Sequence, residues 1–232
     1  MKRGKYTILV LVITVSIIVF LLLNLLLGSV AIPFASVWNI LTGGEGDPVA
    51  WQNIILKSRL PQALTALVAG AGLSISGLQM QTIFRNPLAG PSVLGISSGA
   101  SLGVAFVVLL SGQLGGVALS RLGFIGEVAL SIAAVVGALS VMGLIVLASR
   151  KVAGSVTLLI IGVMIGYIAN AVIGVLKFFS VEEDIKAYVI WGLGSFARVS
   201  GNQMMLFVTI MAVIIPLSFL LIKPLNLLML GD

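Results

Sequence analysis

The side chains that could carry chemistry in this sequence are few, and the commonest catalytic types are missing. There is no Cys and no His, which excludes thiol nucleophiles, imidazole bases, disulfides and the usual zinc and iron–sulfur ligands. The one acid cluster, Glu182, Glu183 and Asp184, has no His or further acid beside it. A membrane enzyme such as a lipid-modifying transferase would need such company, so this function is disfavoured. We expect no catalytic residue, no bound metal and no cofactor.

The remaining polar groups within apolar stretches are more typical of a solute pathway. Asn170 follows Gly162 and Gly166 and precedes Gly174 at intervals of four, which predicts that the four residues share one helix face. Asn170 and Gly166 are therefore candidates for lining a pathway. The alternatives are an interhelical hydrogen bond for Asn170, and plain helix packing or packing against a moving neighbour for the glycines.

The sequence also limits how a solute could be driven through the protein. No Asp or Glu lies in the middle of a long apolar segment, although ion-coupled carriers and pumps commonly use such a carboxylate, or a His, as a relay. The phosphate-binding pattern G-x-x-x-x-G-K-[ST] is absent as well, so the chain does not bind nucleotide phosphates by this motif. Work on a solute would therefore come from a partner or from the solute's own gradient.

The composition places these residues in a membrane protein. Apolar residues make up 59% of the 232 residues and charged residues only 9%, whereas a soluble domain has about 25% charged residues. The net charge of +6 comes from Lys and Arg placed singly or in pairs at segment ends. That placement fits anionic lipid headgroups and is not a nucleic-acid signal. We predict an all-α fold, a polytopic membrane helical bundle forming a single domain over residues 1–232.

Charge-free stretches of about 20 residues predict transmembrane helices. There are six, at 7–28, 61–84, 92–110, 126–148, 155–178 and 203–222. The first exceeds the 7–15 apolar residues typical of a signal peptide, so we interpret it as a retained helix, with cleavage as the alternative. Residues 29–58 are predicted as a loop with a short amphipathic helix near 34–41, and 180–202 as a link with a short helix that does not cross. The basic N-terminus and the adjacent Arg150 and Lys151 predict cytoplasmic termini.

A short polar elbow, residues 85–91 (RNPLAGP), separates the second and third predicted helices. Small residues recur on both sides of this elbow, at intervals of three or four. On a helix, such residues form a face that another backbone can approach closely. The pattern predicts a tightly packed helical hairpin, and the small residues are Ala66, Gly70, Ser74 and Gly77 before the elbow and Gly95, Gly99 and Gly103 after it.

The sequence around the elbow resembles one transporter family. The pattern RLP-x-x-L-x-A-L-x-x-G-A-x-L-x-x-S-G begins at Arg59, and F-R-N-P-L-A-x-P-x-x-L-G-I-S-S-G-A follows it. Both are similar to FecCD-type permeases of ATP-binding cassette importers, which carry iron–siderophore complexes, haem or cobalamin. The resemblance continues through WGLGSF at 191–196 and PLNLLMLGD at 224–232.

The resemblance implies a multi-pass permease subunit in a bacterial inner (plasma) membrane. It implies a homodimer of ten-helix subunits that works with cytoplasmic ATP-binding subunits and an extracytoplasmic solute-binding protein. The expected solute is a ferric siderophore or a related metal chelate. The family continues past Asp232 with a coupling helix and four more membrane helices, so we expect this chain to be an N-terminal portion. A fragment, a truncated gene, half of a split permease and a non-transporting scaffold are the alternatives.

The resemblance also assigns roles to individual residues. Arg59 matches the first of two arginines that meet acids on the binding protein in the cobalamin member, and the second position is Gln62. An Arg that anchors headgroups at a helix start is the alternative.

On the cytoplasmic side, Asn86 and Leu88 of the elbow, with Ser155 and Val156 at the entry to the fifth helix, are expected to form the gate. Pro87 disfavours helix at Asn86, and Leu88 offers an apolar plug that excludes water. The alternative is a simple turn that caps the second helix.

Overall fold

The computed structural model of the chain describes residues 2–44, 48–111, 124–152 and 154–230, and every regular element within them is a helix. Short π and 3₁₀ turns at Ile55–Arg59, Phe196–Arg198 and Phe219–Leu221 interrupt the α-helices. The α-helices are α1 Lys2–Leu26, α2 Phe34–Leu41, α3 Val49–Ile54, α4 Leu60–Phe84, α5 Ile96–Ser111, α6 Phe124–Ser149, α7 Ser155–Phe178, α8 Glu182–Gly192, α9 Gly201–Ser218 and α10 Ile222–Leu230.

Five helical segments in this part of the chain are long and apolar enough to cross a membrane. They are Gly4–Leu26, Val49–Phe84, Ile125–Ser149, Ser155–Phe178 and Gly201–Met229. The segment Ile96–Leu110 is apolar but shorter, and at about 1.5 Å per residue it falls short of a hydrocarbon core of about 30 Å. The all-α polytopic membrane bundle is confirmed, and the number of six crossings stays a prediction.

The second membrane helix begins earlier than the sequence predicted. Residues 49–58 are helical and continue into α4 through the π turn Ile55–Arg59, so the predicted loop is wrong over this stretch. The cause of the π turn is Pro61, which has no N–H to donate. The helix accommodates it by a local change of hydrogen bonding, in which the N–H of Leu60 reaches the carbonyl of Ile55, five residues back. The predicted short helix near 34–41 is confirmed as α2.

The last membrane helix does not end where the sequence predicted. Instead of ending at 222, the chain passes through the 3₁₀ turn Phe219–Leu221 and continues as α10 to Leu230. Pro224 permits this because it lies in the first turn of α10, where a missing N–H leaves no hydrogen bond unmade. Proline at this place therefore starts a new helix and does not stop the old one.

The residues form two compact units. The first comprises Met1–Gly72 and Ser195–Leu217, and its core is built by α1, α2 and the π turn. The second comprises Leu73–Gly194 and Ser218–Asp232, and its cores join α5, α6 and α7 with the elbow and α8. The fully apolar cluster of the first unit consists of Leu25, Ile32, Val37, Ile40 and Ile55.

Glycine contacts in the second unit correct the predicted hairpin. Gly99 lies so close to α6 that an added Cβ would be 2.7 Å from the Gly137 carbonyl oxygen, whereas Gly95 faces α7, where its Cβ would be 2.6 Å from the Gly162 carbonyl oxygen. Gly95 has a φ of 71° and lies in the turn before α5, so it does not share the helix face of Gly99 and Gly103, which both meet α6. The small residues after the elbow therefore divide between two partners, α6 and α7. The small-residue face of α4 is open at Gly70 and Gly77.

Candidate functional site

The elbow is a hydrogen-bonded turn that ends α4. Arg85 has a φ of 47°, its N–H donates to the Thr82 carbonyl at 3.2 Å, and the next N–H, of Asn86, donates to the Gln81 carbonyl at 3.1 Å. These two bonds define a Schellman motif, with Arg85 at the left-handed position that glycine usually occupies. The structure thus places an arginine where the backbone prefers no side chain at all.

Side-chain hydrogen bonds stiffen the elbow further. The N–H of Leu88 donates to Asn86 Oδ1 at 2.9 Å, which forms an Asx turn. Gln81 Nε2 donates to the Pro87 carbonyl, also at 2.9 Å. Every bond in this set joins groups within ten residues, so the elbow holds its own shape.

The elbow is anchored by its ends and presents its tip. Phe84 and Ala89 are buried in one hydrophobic cluster with α6 and α7 residues, whereas Leu88 between them is 80% exposed. The elbow is thus a turn anchored at both ends whose apolar tip is exposed, and the role of Leu88 as a plug stays a prediction. The whole cluster is Phe84, Ala89, Leu94, Val141, Ile145 and Leu159.

The other predicted gate segment lies at the start of α7. Gly154 has a φ of 127° and precedes the helix, Ser155 is half-buried, and Val156 is 63% exposed. Leu159, one turn later, belongs to the same cluster as Phe84 and Ala89. The structure therefore anchors both predicted gate segments in one core and leaves an apolar side chain of each exposed.

The predicted pathway face of α7 does not exist as a single face. Gly162 is buried against Leu94 in the turn before α5 and Gly166 against Ser98 in α5, but Asn170 is exposed and Gly174 meets open space. Three steps of four residues rotate the direction by about 120°, so the four positions cannot point the same way. The buried stripe alternates steps of three and four instead, at Leu159, Gly162, Gly166, Ala169 and Ile173.

This division separates the two pathway candidates. An added Cβ at Gly166 would lie 3.4 Å from Ser98 Oγ and 3.5 Å from Gly95 Cα, so Gly166 packs against α5 in this structure and lines no open space. Asn170 is exposed in this structure and is not part of that contact. The lining role of Asn170 stays a prediction.

Arg59 is buried, with only 6% of its surface exposed. Its Nη1 donates to the carbonyls of Leu25 at 2.6 Å and Leu26 at 3.0 Å, and its Nη2 donates to the Val30 carbonyl. The guanidinium thus satisfies carbonyls at the C-terminal end of α1, where positive charge also suits the helix dipole. A direct ion pair with a binding protein would need an accessible guanidinium, so this geometry favours a positioning role. The docking role stays a prediction.

A polar contact group that the sequence did not indicate joins α5, α7 and α8. Lys177 Nζ lies 4.7 Å from the ring centre of Tyr188, and Ser180 Oγ donates to the Leu109 carbonyl at 3.2 Å. Burial raises the pKa of the Tyr188 phenol, and a hydrogen bond with Ser101 partly offsets this. The partners are 11 to 87 positions apart in the chain, and no local pattern carries a signal over such separations.

The structure separates the acidic residues that the sequence groups together. The predicted acid cluster divides, because Glu182 and Glu183 are exposed while Asp184 is buried. No group of three or more His, Cys, Asp or Glu side chains that could hold a metal occurs in this part of the chain. What the geometry does provide is a stiff elbow with an exposed apolar tip, set in a multi-pass membrane bundle.

Comparison with known proteins explains this combination. The family of FecCD transport proteins matches residues 16–232. The chain belongs to the FecCD transport family. Membership confirms the resemblance seen at the elbow, and it groups this FecCD chain with transport components and not with enzymes.

The curated relatives of this FecCD chain are permeases with several named solutes. An iron chelatin transport system permease of Helicobacter pylori is 40% identical over 77% of the chain and 51% of the relative. The hemin permease HmuU of Yersinia pestis is 30% identical, over 89% and 58%. The vitamin B12 permease BtuC of Klebsiella pneumoniae is 33% identical, over 94% and 60%. The chain therefore spans between half and two-thirds of the length of these relatives.

A solved structure has the same fold. A metal-chelate type ABC transporter in an inward-facing conformation aligns with a TM-score of 0.75 and 27% sequence identity. The alignment covers 96% of this chain and 65% of that one. The FecCD chain thus has, over nearly all its length, the fold of part of an ABC transporter.

Proposed function

We propose that this FecCD chain forms part of the permease of an ATP-binding cassette importer for a ferric siderophore or a related metal chelate. The observation that carries the proposal is the fold shared with a metal-chelate type ABC transporter over 96% of the chain. The 40% identity to an iron chelatin permease favours iron chelates among the solutes of the relatives. Large chelates are held by the shape and polar lining of a pathway, so no short motif is needed for recognition.

The proposal includes partners, because the chain has no G-x-x-x-x-G-K-[ST] motif. A cytoplasmic ATP-binding subunit would supply the energy, an extracytoplasmic binding protein would deliver the chelate, and a second permease copy would complete the pathway. We place the importer in a bacterial inner membrane with the N-terminus in the cytoplasm. The basic residues at the start of α1 support that orientation.

The orientation can be tested in a background without thiols, since the chain has no Cys. Gly4 and Lys186 are both exposed and lie on opposite sides in the six-span prediction. With Lys186→Cys, a membrane-impermeant maleimide should label intact cells. With Gly4→Cys, it should label only permeabilised cells. Labelling of Gly4→Cys in intact cells would reverse the proposed orientation.

In this proposal, the elbow and the start of α7 close the pathway on the cytoplasmic side. Leu88 and Val156 would exclude water from the closed pathway by apolar contact, as in hydrophobic gates. Asn86 holds the Leu88 backbone through its side-chain oxygen, and Ser155 begins the helix that carries Val156. The supporting observation is that both segments share one core while these two side chains are exposed.

Solute uptake tests the function directly. A strain lacking the gene for this chain should lose uptake of a ⁵⁵Fe-labelled siderophore, and plasmid-borne wild-type gene should restore it. Labelled haem and labelled cobalamin are measured in parallel and should enter at unchanged rates. Loss of haem or cobalamin uptake with normal siderophore uptake would reassign the solute. Normal uptake of all three would remove the proposed function.

Leu88→Ser tests the gate within the same importer, with Leu88→Met as the matched apolar control. A hydroxyl at the tip hydrates the closed gate, so Leu88→Ser should leak chelate or hydrolyse ATP without transport. The amount of folded protein should not fall, because the side chain is exposed. Leu88→Met should behave like the parent. Coupled transport in Leu88→Ser would reduce Leu88 to part of a turn.

A further inference from the structure

The geometry points to Arg85 as a positioning residue that ties the elbow to α10, so that the place of α10 sets the place of the Leu88 gate. This inference rests on the proposed function, because it concerns the regulation of that gate. The contact lies within the second compact unit and joins Arg85 to Leu228, which are 143 positions apart in the chain.

The hydrogen bond between Arg85 and the Leu228 carbonyl, called the tie below, begins at a residue whose backbone is fixed. Arg85 occupies the left-handed position of the Schellman motif that ends α4, and local hydrogen bonds hold the next residues, including Leu88, in a stiff turn. The base of the arginine side chain therefore has a defined position relative to the gate tip. The hydrogen bond to α10 therefore acts on the elbow at a point close to the gate tip.

The other end of the tie is the last turn of α10. Arg85 Nη2 donates to the Leu228 carbonyl at 2.6 Å. Leu228 is among the last four residues of α10, whose carbonyls have no partner within the helix and lie at the negative end of its dipole. A guanidinium is the side chain best suited to that position, because it brings a charge as well as a donor.

Packing between the two parts is loose, so the hydrogen bond matters more. A shallow pocket of about 270 Å³ lies between them, lined by Arg85, Pro224, Leu227 and Leu228. Arg85 and the two leucines are all exposed. A contact between exposed side chains can open and close at a smaller cost than an interlocked core.

A second tie defines how α10 can move. Gln79 Nε2 donates to the Ser218 carbonyl at 3.3 Å, where α9 ends and the 3₁₀ turn Phe219–Leu221 begins. Two hydrogen bonds thus connect this segment to α4: Gln79 binds just before the start of α10, and Arg85 binds near the end of α10. With the 3₁₀ turn as a pivot and the Leu228 bond as the far connection, a swing of α10 is transmitted to the elbow.

The residue type supports a role beyond the turn. Glycine would fit the left-handed position without strain, yet the chain places arginine there, and strained backbone of this kind is found where a side chain has a task. Arg85→Gly is therefore an informative variant. It removes the whole side chain, including the guanidinium, while a left-handed glycine keeps the turn without strain, so loss of function in it is not ascribed to a damaged turn.

The experiment measures the accessibility of the gate in the assembled importer. Leu88→Cys provides a single thiol in the Cys-free chain, and its maleimide labelling is followed with and without ATP. We expect an ATP-dependent difference in labelling with Arg85 present. We expect loss of that difference in Arg85→Gly while ATP hydrolysis continues, and partial retention in Arg85→Lys, which keeps one charged donor.

The outcomes distinguish a failure of the Arg85 hypothesis from a failure of the gate hypothesis. An unchanged ATP-dependent difference in Arg85→Gly would overturn the role of Arg85 while leaving the gate in place. No difference with Arg85 present would overturn the gate and the inference together.

A second measurement needs no transport. Hydrogen exchange of the amides at 222–230 should speed up in Arg85→Gly but stay unchanged at 201–217. Unchanged exchange at 222–230 would contradict the tie.

Discussion

Two arginines in this protein bind helix-terminal carbonyls in opposite surroundings. Arg59 is 6% exposed and donates to three carbonyls, those of Leu25 and Leu26 at the end of α1 and that of Val30 beyond it. Arg85 is exposed and donates to one carbonyl near the end of α10. Both use the same chemistry, a guanidinium at the negative end of a helix dipole. They differ in burial, and therefore in how much free energy is lost when the hydrogen bond breaks.

That difference predicts different functions for the same contact. When Arg59 leaves its position, water cannot easily replace it, so three carbonyls and a charge are left unpaired in a buried site. When Arg85 leaves its position, both partners are already exposed, so no buried group loses its hydrogen bond. A buried guanidinium therefore acts as a permanent structural tie, and an exposed one as a tie that can open during a working cycle.

The largest expected effect is on folding, at Arg59. Arg59→Met keeps the length of the side chain but removes every donor, and should lower the free energy of unfolding by at least about 3 kcal/mol. Arg59→Lys, with one ammonium for three carbonyls, should fall between this variant and the parent. Thermal unfolding in detergent, followed by the fluorescence of the three Trp residues, measures both. A Met variant as stable as the parent would remove the contrast between the two arginines.

A smaller effect sharpens the comparison through Gly28. An added Cβ there would lie 2.6 Å from Arg59 Nη2 and 3.1 Å from its Cζ, and the guanidinium cannot move without losing carbonyls. Gly28→Ala should therefore destabilise by about 1–2 kcal/mol. The matched control is Gly70→Ala in α4, which meets open space and should be neutral or slightly stabilising because alanine favours helix. Equal melting temperatures for both variants would show that Arg59 has room to adapt.

The smallest effect on stability is expected at Arg85. Arg85→Ala should change the free energy of unfolding by less than about 1 kcal/mol, because the lost hydrogen bond is replaced by water. The same melting assay as for Arg59 measures it. A loss comparable to that of Arg59→Met would make Arg85 a structural tie and would end the distinction between the two sites.

The sequence was sufficient where the evidence is local or compositional. The charge-poor apolar stretches specified a multi-pass helical protein, and the elbow motif specified the FecCD family. The turn at the elbow could be predicted because Pro87 and Asn86 determine it without distant help. These inferences depend on hydrophobicity, on backbone restriction by proline and on short-range hydrogen bonds, all of which can be read within a few residues.

Predictions that needed relative directions in space were less reliable. Intervals of four on α7 predict one face, but the drift of about 40° per step divides Gly166 from Asn170. The sequence predicts that the second membrane helix starts at Pro61, because a helix that accommodates a proline through a π turn has the same local composition as a loop before a helix. In both cases the local pattern permitted two geometries.

What the sequence by itself determined is the class of the protein: its membrane location, its all-α fold, its family and the position of its elbow. Only the tertiary structure decided what the charged residues do. Arg59 and Arg85 each precede a polar or proline-containing stretch and look alike in the sequence. Their carbonyl partners lie 29–34 positions away for Arg59 and 143 positions away for Arg85. Burial and long-range partners arise only when the chain has packed. The same type of side chain is therefore buried with three carbonyl partners in one unit and exposed with one carbonyl partner in the other.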